Sequence, residues 1–230
     1  FLWPARSCHC RPAPARRHLR LSGAVHRTAL FSPRDEPVGE EPSMTVSVFV
    51  GTSLDGFIAR ANGALDWLPA DGEPHGYDEF IASVDAMVIG RKTFETVLGF
   101  GGWAYGSKRV VVLSSRPLDL SPAKGGVVEQ MAGPPAEIVA RLAAGGIHHL
   151  YVDGGITIQG FLRAGVVDRL IITRVPVLIG AGIPLFGSLL HDIRLRHVAT
   201  RHFPSGLVQS EYQVADWPSR VDSSPVPPHT

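Results

Sequence analysis

The stretch "AMVIGRKTFET", residues 86–96, decides the fold. Its first four residues, Ala86–Ile89, are apolar and too few for a helix, which favours a short buried strand. Gly90 ends that run, and an apolar pattern at helical spacing follows, made by Phe94, Val97 and Leu98. The stretch therefore predicts a strand that passes through a glycine turn directly into a helix.

Two cations and a hydroxyl stand where that helix begins, as Arg91, Lys92 and Thr93. A helix N-terminus has free N–H groups and the positive end of the helix dipole, so it is a natural place for a phosphate group. The alternative is a plain strand-to-helix turn in which Thr93 is the N-cap. The residues alone leave both interpretations open.

Strand and helix patterns alternate on both sides of this stretch. The other helices are indicated by apolar residues at helical spacing or by a proline start and a glycine stop. The predicted strands are Thr45–Val50, Ala86–Ile89, Arg109–Ser115, His148–Gly155, Arg169–Ile179 and Leu207–Val214. This order predicts an α/β fold with a doubly wound, mostly parallel sheet and a C-terminal antiparallel hairpin.

A second candidate phosphate site follows the strand that begins at Arg109. Its end is Leu113, and Ser114, Ser115 and Arg116 come directly after it. Two hydroxyls and a guanidinium can hold a monophosphate such as the 2′-phosphate of NADP, whereas an acidic residue is expected where NAD binds. The alternative is a solvated turn.

A third candidate lies in "VDGGIT", residues 152–157. Gly154 and Gly155 allow the backbone to approach a ligand closely, Ile156 follows them, and Thr157 can cap the next helix. In a parallel sheet the carboxyl ends of the strands share one edge, and ligands bind beyond it. We therefore expect the three loops to lie together.

Both ends of the chain differ from this middle part. Residues 1–30 contain six arginines and no acidic residue, so residues 1–43 are expected to be an unfolded extension, or alternatively a transit peptide. A folded domain is expected over 44–215 and a disordered tail over 216–230. Cys8 and Cys10 are the only cysteines, so we expect no metal site, and the cysteine-free domain fits a reducing cytoplasm.

Composition also excludes classes of partner. The net charge is +1, which argues against nucleic acid as a partner, and no apolar run approaches the roughly 18 residues that a membrane span requires. The expected partner is a small-molecule substrate.

The ordered motifs resemble the dihydrofolate reductase-like superfamily over about residues 45–214. The matching segments are "TSLDGFIA" (52–59), "DWLPAD" (66–71), "VIGRKTFE" (88–95), "VVLSSRP" (111–117) and "VDGG" (152–155). Within it, "SLDGFIA" and "PVLIGAGIPLFG" (176–187) are closer to the RibD C-terminal reductase domain of riboflavin biosynthesis, in its small stand-alone bacterial form. The resemblance implies an NADPH-dependent reductase acting on a pyrimidine, pterin or ribosylamino substrate, with a homodimer as a possible assembly.

The same resemblance assigns roles to individual residues. The loops at Gly90–Thr93, Leu113–Arg116 and Gly154–Thr157 would bind NADPH, and a cis peptide is implied between Gly154 and Gly155. Three aspartates compete as the acid near the substrate, while three apolar side chains could wall it. The aspartates are Asp71, Asp55 and Asp66. The apolar side chains are Phe57, Ile58 and Trp67, for which the alternative is packing in the core or in a lid.

The alternative for each aspartate is a turn residue that bonds backbone. The zinc deaminase signature of bifunctional riboflavin enzymes is absent from the sequence. Two other functions stay open, namely dihydrofolate reductase proper and a catalytically silent NADPH-binding paralogue.

The first prediction concerns the extension. Residues 1–43 are rich in arginine and proline and lack an apolar period. Removing them should change neither the melting temperature nor cofactor affinity, as measured by thermal unfolding and NADPH titration. A fall of several degrees would show that the extension docks on the domain.

Overall fold

The structure is a computed structural model, and it describes residues 44–69 and 73–216. The predictions for residues 1–43, for Cys8 and Cys10, for Asp71 and for the C-terminal tail beyond Asp216 lie outside the described residues. Within the described ranges, no helix has both the length and the apolar character needed to cross a lipid bilayer.

Ten strands and four helices make up the described chain. The strands are β1 (Thr45–Ser53), β2 (Phe57–Ala59), β3 (Ala86–Gly90), β4 (Arg109–Leu113), β5 (Val127–Met131), β6 (His149–Asp153), β7 (Arg169–Val175), β8 (Ile183–Pro184), β9 (Arg194–His202) and β10 (Val208–Asp216). The helices are α1 (Tyr77–Ser83), α2 (Arg91–Leu98), α3 (Pro135–Ala144) and α4 (Gly155–Arg163).

Eight of these strands form one sheet in the order β5-β4-β3-β6-β1-β7-β10-β9. In this spatial order, the first six strands, β5 through β7, run parallel to one another. β10 is antiparallel to both β7 and β9. The predicted α/β architecture, a mostly parallel sheet ending in an antiparallel hairpin, is confirmed.

Helices cover both faces of the central strands, which explains why those strands are apolar throughout. Residues Ala86–Ile89 of β3 are completely buried. Side chains of α3 and α4 pack on one face of the sheet, and side chains of α1 and α2 pack on the other. A strand covered on both faces has no polar side, so its sequence is a continuous apolar run rather than an alternation.

The largest differences from the predicted elements lie at strand ends and at the sheet margins. β7 ends at Val175 rather than Ile179, because Pro176 cannot donate to the ladder and the chain turns away there. β2, β5, β8 and β9 are not predicted by the sequence patterns. β2 and β8 have three and two residues, while β5 and β9 are edge strands with mainly exposed or half-buried side chains.

Candidate functional site

A large cleft lies at the carboxyl edge of β3 and β6. Its volume is about 1010 Å³, at the upper end of the range for small-molecule sites. The two strands are adjacent and parallel, and Ile89 is paired with Asp153 in the register. The turns that follow them therefore reach the cleft side by side.

Two helices begin at this edge with their N-termini free. Gly90 is the N-cap of α2 and Gly154 is the N-cap of α4, and neither helix has a side-chain cap or an acidic residue in its first turn. The other two helices do carry acids there, as Asp78 and Glu79 in α1 and Glu137 in α3. The first N–H groups of α2 and α4 are thus available to an anion, with two helix dipoles in support.

Reciprocal contacts between glycine and threonine hold the two turns together. A Cβ added to Gly90 would lie 2.7 Å from Oγ1 of Thr157 in α4. A Cβ added to Gly154 would collide with Oγ1 of Thr93 in α2. Each helix therefore places a threonine in the space that the opposite turn leaves by having glycine.

The threonines accordingly have a different role from the capping role considered for them. Thr93 and Thr157 are the third residues of their helices, and the caps are glycines. The turn after β6 is made by Gly154 with φ 96° and ψ 129°, a conformation that favours glycine. The Gly154–Gly155 bond is trans, contrary to the cis peptide that the resemblance implies.

The charge of the cleft is positive. Its lining includes Arg91, Lys92 and Arg163 against a single acid, Glu95. Arg91 and Glu95 form an exposed ion pair of 3.5 Å one helical turn apart, a kind of pair that contributes little to stability. An excess of cations at a helix N-terminus favours an anion, which is the kind of ligand expected from the sequence for Gly90–Thr93.

The second candidate loop, Leu113–Arg116, borders the same edge but is organised differently. Leu113 is paired with Gly90 and lines the cleft. The Ser114 hydroxyl donates to the carbonyl oxygen of Arg116 at 2.7 Å. The Gln130 side-chain amide donates to the backbone carbonyls of Ser114 and Arg116. Ser114 therefore builds the turn itself, while the side chains of Ser115 and Arg116 are exposed beside the cleft lining.

Asp55 and Asp66 are the two candidate acids that the structure describes, and hydrogen bonds stabilise the carboxylate form of each. Ser53 donates a hydrogen bond to Asp55, and this bond, followed by the backbone N–H groups of Gly180 and Ile179, lowers the pKa of Asp55. Asp66 forms a bidentate pair with Arg60 at 2.7 and 3.0 Å, which lowers the pKa of Asp66. A lowered pKa makes a carboxyl a poorer proton donor at neutral pH.

The predicted apolar wall is only partly assembled. Ile58 is 1% exposed, lines the cleft, and would have its Cδ1 2.5 Å from a Cβ on Gly155. Phe57 belongs to β2 but not to the cleft lining. Trp67 packs with Val175 and Leu207 in a separate small cluster.

The structure adds residues that sequence patterns did not indicate. Ile183 of β8 lines the cleft beside Ile58, because β8 pairs with β2. Asn62, Gly63 and Leu65, from the loop after β2, also reach it. Ile183 belongs to "PVLIGAGIPLFG", a segment that carries the family resemblance but has no local pattern that places Ile183 in a cleft.

These residues fit the phosphates of a dinucleotide better than they fit a metal. Two uncapped helix N-termini, glycines at the closest approach and an excess of cations form an anion cradle. Among the described residues, no cluster of three His, Cys, Asp or Glu side chains is arranged to hold a metal ion.

The chain is similar to a known protein family over most of its described length. The sequence profile of the family described as "RibD C-terminal domain" matches residues 44–209. The uncharacterized protein YwjB of Bacillus subtilis (strain 168) is 31% identical over 160 residues, covering 68% of this chain and 90% of that protein.

Solved structures share the fold. A Shewanella sp. PV-4 protein named for riboflavin biosynthesis superposes with a TM-score of 0.70 at 36% identity, covering 75% of this chain and all (100%) of that one. Dihydrofolate reductase from Enterococcus faecalis, complexed with NADP(H), has a TM-score of 0.53 at 18% identity, covering 75% of this chain and 97% of that one. The latter likeness shows the fold alone.

The second prediction concerns the glycine at the β6–α4 turn. Gly154→Ala introduces a Cβ at φ 96° and against Thr93, so it should lower the free energy of unfolding by about 1–3 kcal/mol. Urea unfolding measures the loss. Gly160→Ala is the matched control, since Gly160 lies inside α4 with nothing within 4 Å of the added Cβ. Equal urea midpoints for Gly154→Ala and wild type would contradict the proposed packing of the two turns.

Proposed function

The chain belongs to the RibD C-terminal domain family, and from that premise we propose that it is an NADPH-dependent reductase. Its substrate would be a pyrimidine or pterin ring, with a ribosylamino-pyrimidine of the 5-amino-6-(5-phosphoribosylamino)uracil type as the first choice. The observation that carries the proposal is the pair of uncapped helix N-termini, α2 and α4, which open side by side on one cationic cleft.

Named residues divide the work of holding the cofactor. The backbone N–H groups at the starts of α2 and α4 would bind the pyrophosphate, because both sets are free of side-chain caps. Arg91 and Lys92 supply positive charge beside them. Ser115 and Arg116 stand at the end of the neighbouring strand β4, where they can take the 2′-phosphate.

The apolar end of the cleft excludes water. Ile58 and Ile183 press against Gly155, so the wall at this end is apolar and closely packed. When bound, NADPH supplies the hydride. The protein has to position the reacting groups and keep solvent away, which is the main demand that such chemistry makes.

The acid near the substrate is proposed to be Asp71. It belongs to "DWLPAD", the segment that resembles the acid-bearing motif of dihydrofolate reductases. The carboxylate of Asp55 already accepts from the backbone N–H groups of Ile179 and Gly180, and the carboxylate of Asp66 is paired with Arg60. Asp71 would stay ionised to hold a ring nitrogen or ribosyl hydroxyl of the substrate, or supply it with a proton.

The function is tested by measuring NADPH oxidation with 5-amino-6-(5-phosphoribosylamino)uracil as the substrate and, in parallel, with dihydrofolate as the substrate. Turnover of the ribosylamino-pyrimidine supports the proposal. Turnover of dihydrofolate alone identifies a dihydrofolate reductase. Tight NADPH binding without oxidation against a broad substrate panel identifies a silent binding protein.

The third prediction concerns cofactor preference. Ser115 and Arg116 follow β4, and no acid stands there, so NADPH should bind at least about tenfold more tightly than NADH, about 1.4 kcal/mol. Arg116→Ala should remove most of that preference and leave NADH affinity nearly unchanged. Arg194→Ala, on the edge strand β9, is the matched control. Equal affinities of wild type for both cofactors would rule out the 2′-phosphate site.

The fourth prediction concerns the acid. Asp71→Asn should lower the rate with substrate by about tenfold or more, the lower part of the range for a lost acid–base group. NADPH affinity should change less than about twofold, since the acid serves the substrate. Steady-state kinetics and NADPH titration of Asp71→Asn and Asp66→Asn rank the two. Full turnover by Asp71→Asn would remove the assignment.

A further inference from the structure

The segment that follows β7 crosses over the turn between β1 and β2. We call residues 176–187, "PVLIGAGIPLFG", the strap. Its near end is fixed where the Leu54 N–H donates to the Val177 carbonyl at 2.8 Å. Its far end is fixed where the Leu185 N–H donates to the Gly56 carbonyl at 3.0 Å. Between these points, β8 pairs with β2.

The carboxylate of Asp55 holds the middle of the strap. Its Oδ2 accepts hydrogen bonds from the N–H groups of Gly180 at 2.8 Å and Ile179 at 3.1 Å. Gly180 has φ 75°, so the strap turns sharply at the residue whose N–H is bound to Asp55.

The strap in turn shapes the cleft. Ile183 projects from it so that Cγ2 lies 3.3 Å from the position of a Cβ on Gly155. The Gln159 amide of α4 donates to the Pro184 carbonyl at 2.9 Å, which ties the strap to the helix that starts the anion cradle. A shift of the strap would therefore move the apolar wall beside Gly155.

We infer that Asp55 is a positioning residue, whose carboxylate holds the strap so that Ile183 closes the Gly155 end of the cleft. This inference rests on the proposed function, in which the apolar end of the cleft keeps solvent away from the reacting groups. Asp55 itself is absent from the cleft lining, and backbone donors already occupy its oxygens. The geometry thus separates Asp55 from the role of substrate acid that the sequence leaves open for it.

The test compares Asp55→Asn with Asp55→Ala. The asparagine carbonyl can still accept from the Gly180 N–H, whereas alanine leaves both strap N–H groups without their acceptor. Amide hydrogen exchange at Ile179 and Gly180 should speed up by about tenfold or more in Asp55→Ala and by much less in Asp55→Asn. Asp119→Ala, which removes another turn aspartate that accepts from Ser121, should leave these two amides unchanged.

Kinetics supply the second readout. Asp55→Ala should raise KM for the cofactor and lower kcat, as should Ile183→Ala, and the double variant should be less than additive because both act on one wall. Asp55→Asn should keep turnover within about threefold of wild type and retain the acid limb of the pH–rate profile.

Two results would overturn the inference. One is unchanged exchange at Ile179 and Gly180 in Asp55→Ala, which would show that the strap does not depend on this carboxylate. The other is loss of turnover and of the acid limb in Asp55→Asn with normal exchange, which would make Asp55 the acid. Failure of wild type to bind or oxidise NADPH refutes the proposed function instead, and the exchange experiment still decides whether Asp55 holds the strap.

Discussion

The close contact between the β3–α2 and β6–α4 turns is the constraint on which the cleft depends. Gly90 leaves space for the side chain of Thr157, and Gly154 leaves space for the side chain of Thr93. The starts of the two helices can therefore lie close enough for their free N–H groups to face the same part of the cleft. A larger residue at either glycine would force the turns apart, since backbone turns in a packed sheet have little room to relax. The positive potential of the cleft follows from this approach, because the field of a helix terminus weakens within about one turn.

The electrostatics of the site are divided along the cleft. Near α2 and α4 the excess of cations and the two helix dipoles favour an anion. Toward β2 and β8 the wall becomes apolar, where Ile58 and Ile183 meet Gly155. The proposed cofactor, NADPH, is charged along part of its length and flat and weakly polar at one end, so its form is compatible with both regions.

Asp55 and Asp66 have different structural roles, because the groups that contact their carboxylates differ. Asp66 closes a local ion pair with Arg60 on the protein surface. Asp55 joins two segments more than a hundred residues apart in sequence by accepting from the N–H groups of Ile179 and Gly180. A carboxylate that is saturated with donors stabilises a loop well and donates a proton poorly, so the same bonds that favour a positioning role disfavour an acid role.

The sequence by itself determined the alternation of strands and helices and the placement of glycine-rich turns at strand ends, because apolar periodicity and turn chemistry are local properties. It thereby indicated Gly90–Thr93 and Gly154–Thr157 as parts of one edge. Only the tertiary structure decided that the threonines fill the opposite glycine turns rather than cap their own helices, and that Ile183 lines the cleft. It also decided the short strands β2 and β8 and the edge strands β5 and β9. These features depend on contacts between distant segments, which leave no periodic signal in the residues that make them.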